Sequence, residues 1–524
     1  MPDNNNEINQ SQGTNPFDTT SEEKHDTTLM KEEFANAVAS LEGKGELDQT
    51  IPRWAQKINI WRKRCMSEFL FMIWCAFFVG LFAGFGAHIF NRLISIVTEI
   101  FTSHIKAGAI NWWLIPLPIV GIVLSGIYTR YIVHTNLTHS VAQLMHQLYQ
   151  GRFKLKSNII YSPIIGGTIT LGLGGSAGSE GPIAYSGAAI GSYLGRLLGL
   201  TPTQVKVLIG CGAGAGISGI FMSPMGGLLF TLEFLRMEIG TLSILAVTVA
   251  CFVAYGIVFL CNGCIPHATY TPLDVIEPSQ YWGVLALGVF CGLYSIYYSK
   301  TINKTDAIFR KINNPWIRNV MGGLIVGICL FLFPSLYGVG YPVLSNTIHD
   351  NFHSLMEGNI LNGIHMGDWA MIIVAACILA IKCWACGSCN ASGGVSSDFA
   401  PTMFAGGVAG FLFSTLCNHV FLTHLPVGVF TLLGMSAVMA GCVEAPLMTL
   451  FIVMNMGMTF DFALPIGISV YASYIVVRVF YNLRGYDNKM VRHLNWFHHN
   501  HSSGSDNSST TSTTQSSIVE QSSK

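Results

Sequence analysis

Apolar runs fill most of the chain between residues 66 and 480, and they restrict the protein to a membrane fold. Charged residues make up 11% of the 524 residues and hydrophobic residues 51%, whereas a soluble domain carries about 25% charged residues. Many runs are shorter than the ~20 residues that a membrane-spanning helix needs. Short segments interrupted by glycine or proline indicate broken or re-entrant helices. The sequence therefore predicts an all-α polytopic membrane protein with many tilted and re-entrant helices.

The apolar region also repeats itself, because glycines and prolines recur with the same gaps in its two halves. Glu233 and Asn455 extend this match, since each lies nine residues after an equivalent proline. The repeat predicts a duplicated architecture. Two ordered triplets match at offsets of 219 and 222 residues, namely Pro182, Gly187 and Gly191 with Pro401, Gly406 and Gly410, and Gly212, Gly219 and Pro224 with Gly434, Gly441 and Pro446.

Clusters of basic residues give the two halves opposite orientations. The first half has its cluster before its opening run, 66–98, and the second half has its cluster after its opening run, 280–299. Basic residues beside membrane segments favour the cytoplasm, so the two runs cross the membrane in opposite directions. This predicts an inverted repeat with the functional site where the halves meet. The clusters are Arg53, Lys57, Arg62, Lys63 and Arg64, and Lys300, Lys304, Arg310, Lys311 and Arg318.

Composition divides the chain into three regions. We predict a disordered cytoplasmic tail at 1–52, a membrane domain at 53–495, and a disordered Ser/Thr-rich cytoplasmic tail at 496–524. The membrane domain contains the two halves, at about 60–265 and 275–490. We expect a multi-pass protein of the cell membrane with both termini in the cytoplasm.

Glu180 is the most informative residue, because a carboxylate at membrane depth is costly and indicates a functional site. It lies in Gly178-Ser179-Glu180-Gly181-Pro182, where the glycines indicate a break and proline fits the first turn of a helix. A helix N-terminus presents free N–H groups and favours an anion. Charged Glu180 competes with that anion, and protonated Glu180 leaves the site and carries a proton. The alternative is a structural carboxylate that pairs with a backbone amide.

The repeat partner of this stretch is Ser397-Asp398-Phe399-Ala400-Pro401. It also indicates a helix N-terminus, where the amides of Asp398, Phe399 and Ala400 are available to an anion. The side chain of Asp398 has an alternative role as the cap of that helix.

Two further stretches have side chains that donate hydrogen bonds. Thr138-His139-Ser140 precedes a helical run, so His139 or Ser140 either caps that helix or donates to an anion. Tyr486 follows the last apolar run, at a position where tyrosine commonly lies in the membrane interface.

Together these stretches resemble the CLC family of chloride channels and chloride–proton antiporters. The Glu180 stretch is similar to the gating-glutamate motif of that family, and Ser397–Pro401 is similar to its Gly-x-Phe-x-Pro anion motif. The stretch Gly212–Pro224 resembles the segment that follows the gate. Tyr486 falls where the pore tyrosine of the family is expected. The resemblance covers roughly 60–495.

The resemblance implies a homodimer in a lipid bilayer, with one pore per subunit, which binds chloride or a similar monovalent anion and protons. It implies that Glu180 is the external gate and that backbone amides, with the hydroxyl of Tyr486, hold the anion. It implies a transport protein rather than an enzyme, without a cofactor or a bound metal. The formal net charge of zero separately indicates no nucleic-acid partner. The anion-binding set consists of His139, Ser140, Gly181, Asp398, Phe399, Ala400 and Tyr486.

The chain departs from the family pattern at several places near the site. Thr138-His139-Ser140-Val141-Ala142 stands where the family has Gly-Ser-Gly-Ile-Pro, which leaves the preference for chloride over other monovalent anions open. Ser179 replaces the basic residue beside the gate, and Ser397 replaces the first glycine of the second motif. Asp398 adds a carboxyl group, which repels anions when it is ionised and directed inward.

The internal side differs as well. Exchangers of the family often carry an internal proton-transfer glutamate, and the matching position is Phe234, directly after Glu233. Phenylalanine cannot carry a proton, so protons move through water or Glu233, or the protein is a passive voltage- or pH-gated channel. We predict proton-coupled antiport gated by Glu180, with the channel as the alternative.

A serine hydrolase is a remote alternative. Gly174-Gly175-Ser176-Ala177-Gly178 matches the Gly-x-Ser-x-Gly nucleophile motif, which needs a strand, a turn and a helix in an α/β sheet. An intramembrane serine protease would use Ser176 with His88, His134 or His139 as its base.

A cation carrier and a metal site are the remaining alternatives. A cation carrier would use Glu180 and Asp398 as ligands, but the positive ends of helix dipoles disfavour a cation between them. The cysteines favour a simpler role, since buried free cysteine behaves as a small hydrophobic residue, and the C-terminal histidines favour a solvated tail. These groups are Cys261 and Cys264, Cys383, Cys386 and Cys389, and His493, His498, His499 and His501.

Overall fold

The structure is a computed structural model that describes residues 66–103, 111–135, 137–237, 240–263, 276–349, 355, 368–456 and 462–483. Both predicted tails and Tyr486 lie outside these residues. Within the described part, the chain is almost entirely helical, and its β pairing is one bridge between Gly178 and Ser397. Nine helices in that part are long and apolar enough to cross a membrane. The fold is therefore all-α and multi-pass, as the sequence predicted.

The helices that precede residue 265 include several that are too short to span a bilayer. They are α1 (Glu68–Thr102), α2 (Pro116–Ile127), α3 (Ser140–Tyr149), α4 (Ser162–Gly172), α5 (Glu180–Leu197), α6 (Pro202–Phe221), α7 (Pro224–Leu229) and α8 (Thr241–Cys261). Helices α3, α4 and α7 have 10, 11 and 6 residues. These lengths agree with the broken segments predicted from short apolar runs.

The helices that follow residue 275 show the same mixture of long and short segments. They are α9 (Tyr281–Arg310), α10 (Pro315–Leu332), α11 (Tyr341–Ile348), α12 (Asp368–Ala391), α13 (Phe399–Phe421), α14 (Val427–Val443), α15 (Pro446–Met456) and α16 (Ala463–Asn482). In the repeat, α13, α14, α15 and α16 correspond to α5, α6, α7 and α8.

Proline and side-chain caps determine where several helices begin. Pro202 opens α6 after Thr201. The Thr201 hydroxyl accepts from the backbone N–H of Gln204, and the Gln204 side-chain oxygen accepts from the backbone N–H of Thr201. Pro224 opens α7 after Ser223, whose hydroxyl accepts from the N–H of Gly226. Proline costs nothing at these positions, because the first N–H groups of a helix have no partner within it.

Helix α1 shows how a helix in this fold packs on one face and stays exposed on the other. A Cβ at Gly80 would lie 2.8 Å from Ala250 Cα, and a Cβ at Gly84 would lie 2.9 Å from Ala254 Cα. Glycine thus lets α1 approach the backbone of α8 closely. The opposite face exposes large apolar side chains, as expected for contact with lipid: Phe78, Phe82, Phe85 and Ile89.

The repeated glycines build the same helix crossing twice. Gly187 of α5 and Gly212 of α6 face each other, and a Cβ at either one would collide with the carbonyl oxygen of the other. Gly406 of α13 and Gly434 of α14 are related in the same way. Gly187 matches Gly406, and Gly212 matches Gly434, in the sequence repeat. The repeat predicted from spacing is therefore a structural repeat.

An antiparallel bridge joins the two halves at equivalent residues. Gly178 N–H donates to Ser397 O at 2.8 Å, and Ser397 N–H donates to Gly178 O at 2.9 Å. These residues are separated by the repeat offset of 219. Equivalent segments that pair antiparallel are related by a local two-fold axis, which is the symmetry of an inverted repeat. The bridge also brings the first residues of α5 and α13 close together.

Candidate functional site

Glu180 is fully buried at the first residue of α5. Its Oε1 accepts from the Tyr341 hydroxyl at 2.9 Å. Its Oε2 accepts from the Ser397 hydroxyl at 3.0 Å and from the Ala400 amide at 3.4 Å. Tyr341 opens α11, and the other two residues lie at the start of α13. The carboxylate of one half is thus held by donors of the other half.

The Glu180 carboxylate occupies the N-terminal end of α13, where the sequence predicted an anion. Ala400 is the second residue of that helix, and N–H groups at this position have no acceptor within the helix. The positive end of the helix dipole adds to the attraction. A structural carboxylate would make the same amide contact. The feature that favours a gate is the cavity that begins beside Ser397.

Tyr341 is a site residue that the sequence analysis missed. It follows Gly340, which has a φ of +85° and lies so close to the Phe404 ring that no Cβ fits there. Glycine at this position lets the start of α11 approach α13. The signal in the sequence is a glycine followed by Tyr341 and Pro342, which resembles the break-then-helix pattern at Glu180.

A cavity of about 200 Å³ brings most of the predicted anion-binding residues together. We call this space the central cavity. Gly181 lies at its edge, since a Cβ there would lie 2.7 Å from Ser397 Cβ and 3.3 Å from Val141 Cγ2. The lining of the cavity includes His139, Ser140, Phe234, Ser397, Asp398 and Phe399.

Asp398 precedes α13 but does not cap that helix with its side chain. Its Oδ1 accepts from the side-chain amide of Asn390 and from the Cys386 thiol at 3.3 Å. The capping alternative for Asp398 is therefore not what the structure shows. The adjacent Phe399 ring meets the Phe234 ring edge-on, with 5.0 Å between the ring centroids.

His139 and Ser140 also differ from the simple caps that the sequence allowed. His139 precedes α3 in the left-handed conformation, with a φ of 53°, and its side chain makes no cap hydrogen bond. The Ser140 hydroxyl donates to Leu137 O at 2.7 Å. Both residues line the central cavity. Donation from Ser140 to an anion requires rotation of this hydroxyl.

Glu233 and Phe234 lie in a π-helical turn after α7, but their side chains contact different parts of the protein. The Glu233 carboxylate accepts from the N–H groups of Leu447 at 3.3 Å and Met448 at 2.8 Å, so it caps α15. Phe234 lines the central cavity. The side chain that Phe234 contributes to the cavity wall is therefore apolar.

Ser176 is bonded in a way that argues against a nucleophile. It is fully buried, its hydroxyl donates to Leu336 O at 2.7 Å, and it accepts from Lys382 Nζ at 2.9 Å. Lys382 is also fully buried and lies 4.7 Å from the centre of the Phe404 ring. The surroundings are helical rather than an α/β sheet, so the context that the hydrolase motif requires is missing from this part of the structure.

Replacement of Ser176 by alanine is expected to lower stability without stopping transport. Lys382 Nζ and Leu336 O each lose a hydrogen-bond partner inside the protein, which costs about 1–3 kcal/mol. The apparent melting temperature in detergent measures this loss. Ser436→Ala is the matched control, because the buried Ser436 hydroxyl donates to Leu433 O within its own helix. Equal melting temperatures for the two variants would contradict the bridging role of Ser176.

The cysteine group of α12 is part of the helix packing. Cys383, Cys386 and Cys389 are buried, and the Cys383 thiol donates to Ala380 O at 3.2 Å. Within the described residues, no three His, Cys, Asp or Glu side chains are grouped to hold a metal ion. Cys264 and the C-terminal histidines lie outside those residues.

The fold and the site together define a class. Two inverted halves bring helix N-termini to a buried carboxylate, beside a cavity, in a multi-pass membrane protein. This arrangement is typical of membrane transport proteins, in which the site lies where the repeats meet. The family model described as "Voltage gated chloride channel" matches residues 120–478. Because that match covers more than half of the chain, the protein belongs to this family, the CLC family that its motifs resemble.

Individual relatives agree with this assignment. The H(+)/Cl(-) exchange transporter ClcA of Klebsiella pneumoniae (strain 342) is 26% identical over 405 residues, which cover 75% of this chain and 82% of the relative. A slow cyanobacterial Cl-/H+ antiporter has the same fold, with a TM-score of 0.64 and 21% identity over 78% of this chain and 94% of that chain. A CLC-type fluoride/proton antiporter gives a TM-score of 0.63 and 21% identity over 78% and 96%.

Proposed function

We propose that this protein exchanges chloride, or a similar monovalent anion, for protons across a membrane, and that Glu180 is its gate. The proposal rests on the Glu180 carboxylate, which accepts hydrogen bonds from Tyr341, Ser397 and Ala400 at a helix N-terminus. An anion uses the same donors once the carboxyl group leaves them. Protonation promotes that departure, because the neutral group is no longer attracted to the helix end. One proton is thereby linked to anion movement.

The relatives support exchange. The Klebsiella protein is named for exchange of protons and chloride, and the two antiporter structures are described for chloride and for fluoride. Chloride is our first candidate for the anion. The stretch His139-Ser140 departs from the family pattern within the cavity wall, so fluoride and nitrate belong in the same assay.

A passive chloride channel is the second candidate, and Phe234 favours it. Its ring lines the central cavity and packs against Phe399, and the resemblance to the family matches it to a position where exchangers often carry a glutamate. An apolar wall at this position offers no proton carrier of its own.

Proteoliposomes loaded with chloride test the proposed function. Chloride efflux and external pH are recorded together, with and without a protonophore. Uphill proton movement driven by a chloride gradient supports exchange. Chloride efflux without linked proton movement supports the channel. Absence of chloride, nitrate and fluoride flux from well-folded protein would contradict both candidates.

We also propose that the protein is a homodimer in the cell membrane and that both termini face the cytoplasm. The basic cluster, which lies in the last turns of α9 and at the start of α10, supports this orientation, since positive residues favour the cytoplasmic side. Exposed apolar side chains on α8 and α16, such as Phe252 and Ile475, offer contact area for lipid or a second subunit. The membrane domain, proposed at 53–495, contains halves at about 60–265 and 275–490.

Tyr341→Phe is expected to raise chloride flux at neutral pH by roughly tenfold. The variant removes the donor to Glu180 Oε1, and a hydrogen bond to a charged group contributes about 1.5–3 kcal/mol. The carboxylate therefore leaves the helix end more often. Tyr337→Phe is the control, because the Tyr337 hydroxyl donates to Gly172 O at 2.7 Å instead. The measurement is the initial rate of chloride efflux. Equal rates for Tyr341→Phe and Tyr337→Phe would contradict the role of Tyr341 in holding Glu180 at the helix end.

A further inference from the structure

Two cavities meet at one pair of side chains. Asp306 of α9 and His139 lie in the wall of the central cavity and also in the wall of a second, more polar cavity of about 550 Å³. We call the second space the basic cavity, because the other ionisable side chains that line it are Arg130, His134, Arg310 and Arg318. Asp306 is buried, and its Oδ1 lies 3.9 Å from His139 Nε2. The pair is therefore accessible from both spaces.

The central cavity connects this pair to the gate. Ser397 lines the cavity and donates its hydroxyl to Glu180. Asp398, beside it, lines the same cavity as Asp306. The cavity, of about 200 Å³, has room for several water molecules, since each takes about 30 Å³ in the liquid. A proton that moves between Asp306 and Glu180 thus has a space that holds water as far as the Ser397 hydroxyl, which contacts Glu180.

The basic cavity connects the pair to solvent. Arg130, His134 and Arg310 line this cavity and are exposed at the protein surface. A cavity rich in positive charge draws anions and their water inward. The charged groups around Asp306 are Arg130 and His134 after α2, Arg310 on α9, Arg318 on α10, Asp398 before α13 and Glu444 after α14.

The other candidates for proton transfer either cannot ionise or have a carboxylate that accepts hydrogen bonds from other groups. Phe234 has no ionisable group. The Glu233 carboxylate caps α15 through Met448 N–H at 2.8 Å. The Asp398 carboxylate accepts from Asn390 and Cys386. Among the carboxyl groups in the described part of the chain, Asp306 is the one that lines both cavities.

We propose that Asp306, oriented by His139, exchanges protons between the basic cavity and the central cavity and replaces the carboxyl group that is absent at Phe234. This inference rests on the proposed function of proton-coupled exchange. A proton from hydronium in the bulk solvent reaches the Asp306 carboxylate through water in the basic cavity, and the hydronium becomes water. Its O–H then passes that proton through water in the central cavity to the Glu180 carboxylate. Only protons move in these steps, and Asp306 returns to its ionised form.

Asp306→Asn tests this assignment in proteoliposomes that report chloride and proton fluxes together. We expect proton flux to fall at least tenfold while chloride flux stays within about threefold of the unmodified protein. Asp306→Glu is expected to restore proton flux, because it returns a carboxyl group. Glu444→Gln is the matched control, because it removes the same charge as Asp306→Asn. Glu444 lines the central cavity but not the basic cavity. This control is expected to retain coupled exchange.

Several outcomes would overturn the proposal. These are unchanged proton flux in Asp306→Asn, a parallel loss of both fluxes in monodisperse protein, or loss of coupling in Glu444→Gln instead. If Asp306→Asn does not fold, His139→Gln gives a second test. Removal of the imidazole that orients Asp306 should change the pH profile of proton flux. An unchanged profile contradicts the proposal. Absence of linked proton movement in the unmodified protein would instead refute the proposed function, before any variant is considered.

Discussion

Proteoliposomes that contain Glu180→Ala are expected to release chloride while linked proton movement disappears. The variant leaves the donors of Tyr341, Ser397 and Ala400 at the N-terminus of α13 but removes the carboxylate that occupies them. An anion then competes with no side chain for the site, and no group at that position carries a proton. Simultaneous recording of chloride efflux and external pH measures both effects.

Glu180→Gln is the control for charge, because it keeps the size of the side chain but cannot ionise. We expect its chloride flux to be the same at acidic and neutral pH, whereas the flux of the unmodified protein rises as the pH falls. Glu180→Ala protein that still drives protons uphill would show that the gate and the proton carrier are another residue. A structural role for Glu180 predicts misfolded or inactive protein for both variants.

Gly212→Ala is expected to have the largest effect on folding. The added methyl group would collide with the carbonyl oxygen of Gly187, and Ala188 N lies 3.1 Å from the same position. Neither atom belongs to a flexible side chain, so α5 and α6 have to separate. Overpacking of this kind costs about 1–3 kcal/mol and sometimes more. The yield of monodisperse protein and the apparent melting temperature in detergent report the loss.

Gly256→Ala supplies a control for the same chemical change in another helix. Gly256 lies within α8, and a Cβ at this position would have no atom within 4 Å apart from those of its chain neighbours and the backbone of its own helix. Alanine is favoured over glycine in a helix by about 0.5–1 kcal/mol, so this variant should be as stable as the unmodified protein or slightly more stable. The repeat predicts that Gly434→Ala behaves like Gly212→Ala. Equal stability of Gly212→Ala and Gly256→Ala would contradict the close crossing.

The sequence was most informative where the physical cause is local. Glycines and a proline predicted a helix N-terminus in Gly178–Pro182, and the repeat predicted a second one in Ser397–Pro401. Helices α5 and α13 begin within these stretches, at Glu180 and Phe399. The spacing of glycines predicted the repeat, because glycine lets helix backbones approach closely and equivalent crossings therefore carry it at equivalent positions. Gly187 with Gly212 is such a contact.

Side-chain roles were harder to predict. Asp398 stands at a helix start, where a capping bond is the usual expectation, but its carboxylate turns to Asn390 and Cys386 of α12. Glu233, considered as a proton carrier, caps α15. Asn390 and Cys386 lie on the preceding helix, 8 and 12 residues before Asp398, and Met448 lies 215 residues after Glu233. In each case the way the helices pack decides the partner.

By itself, the sequence determined that this is a multi-pass helical membrane protein with an inverted repeat and a carboxylate at a helix start inside the membrane. Hydropathy, charge and the backbone requirements of glycine and proline act over a few residues, so they can be interpreted along the chain. Only the tertiary structure decided which groups face Glu180 and that Asp306 meets His139 between two cavities. These contacts join residues more than 150 positions apart in the chain, and they depend on how all the helices pack.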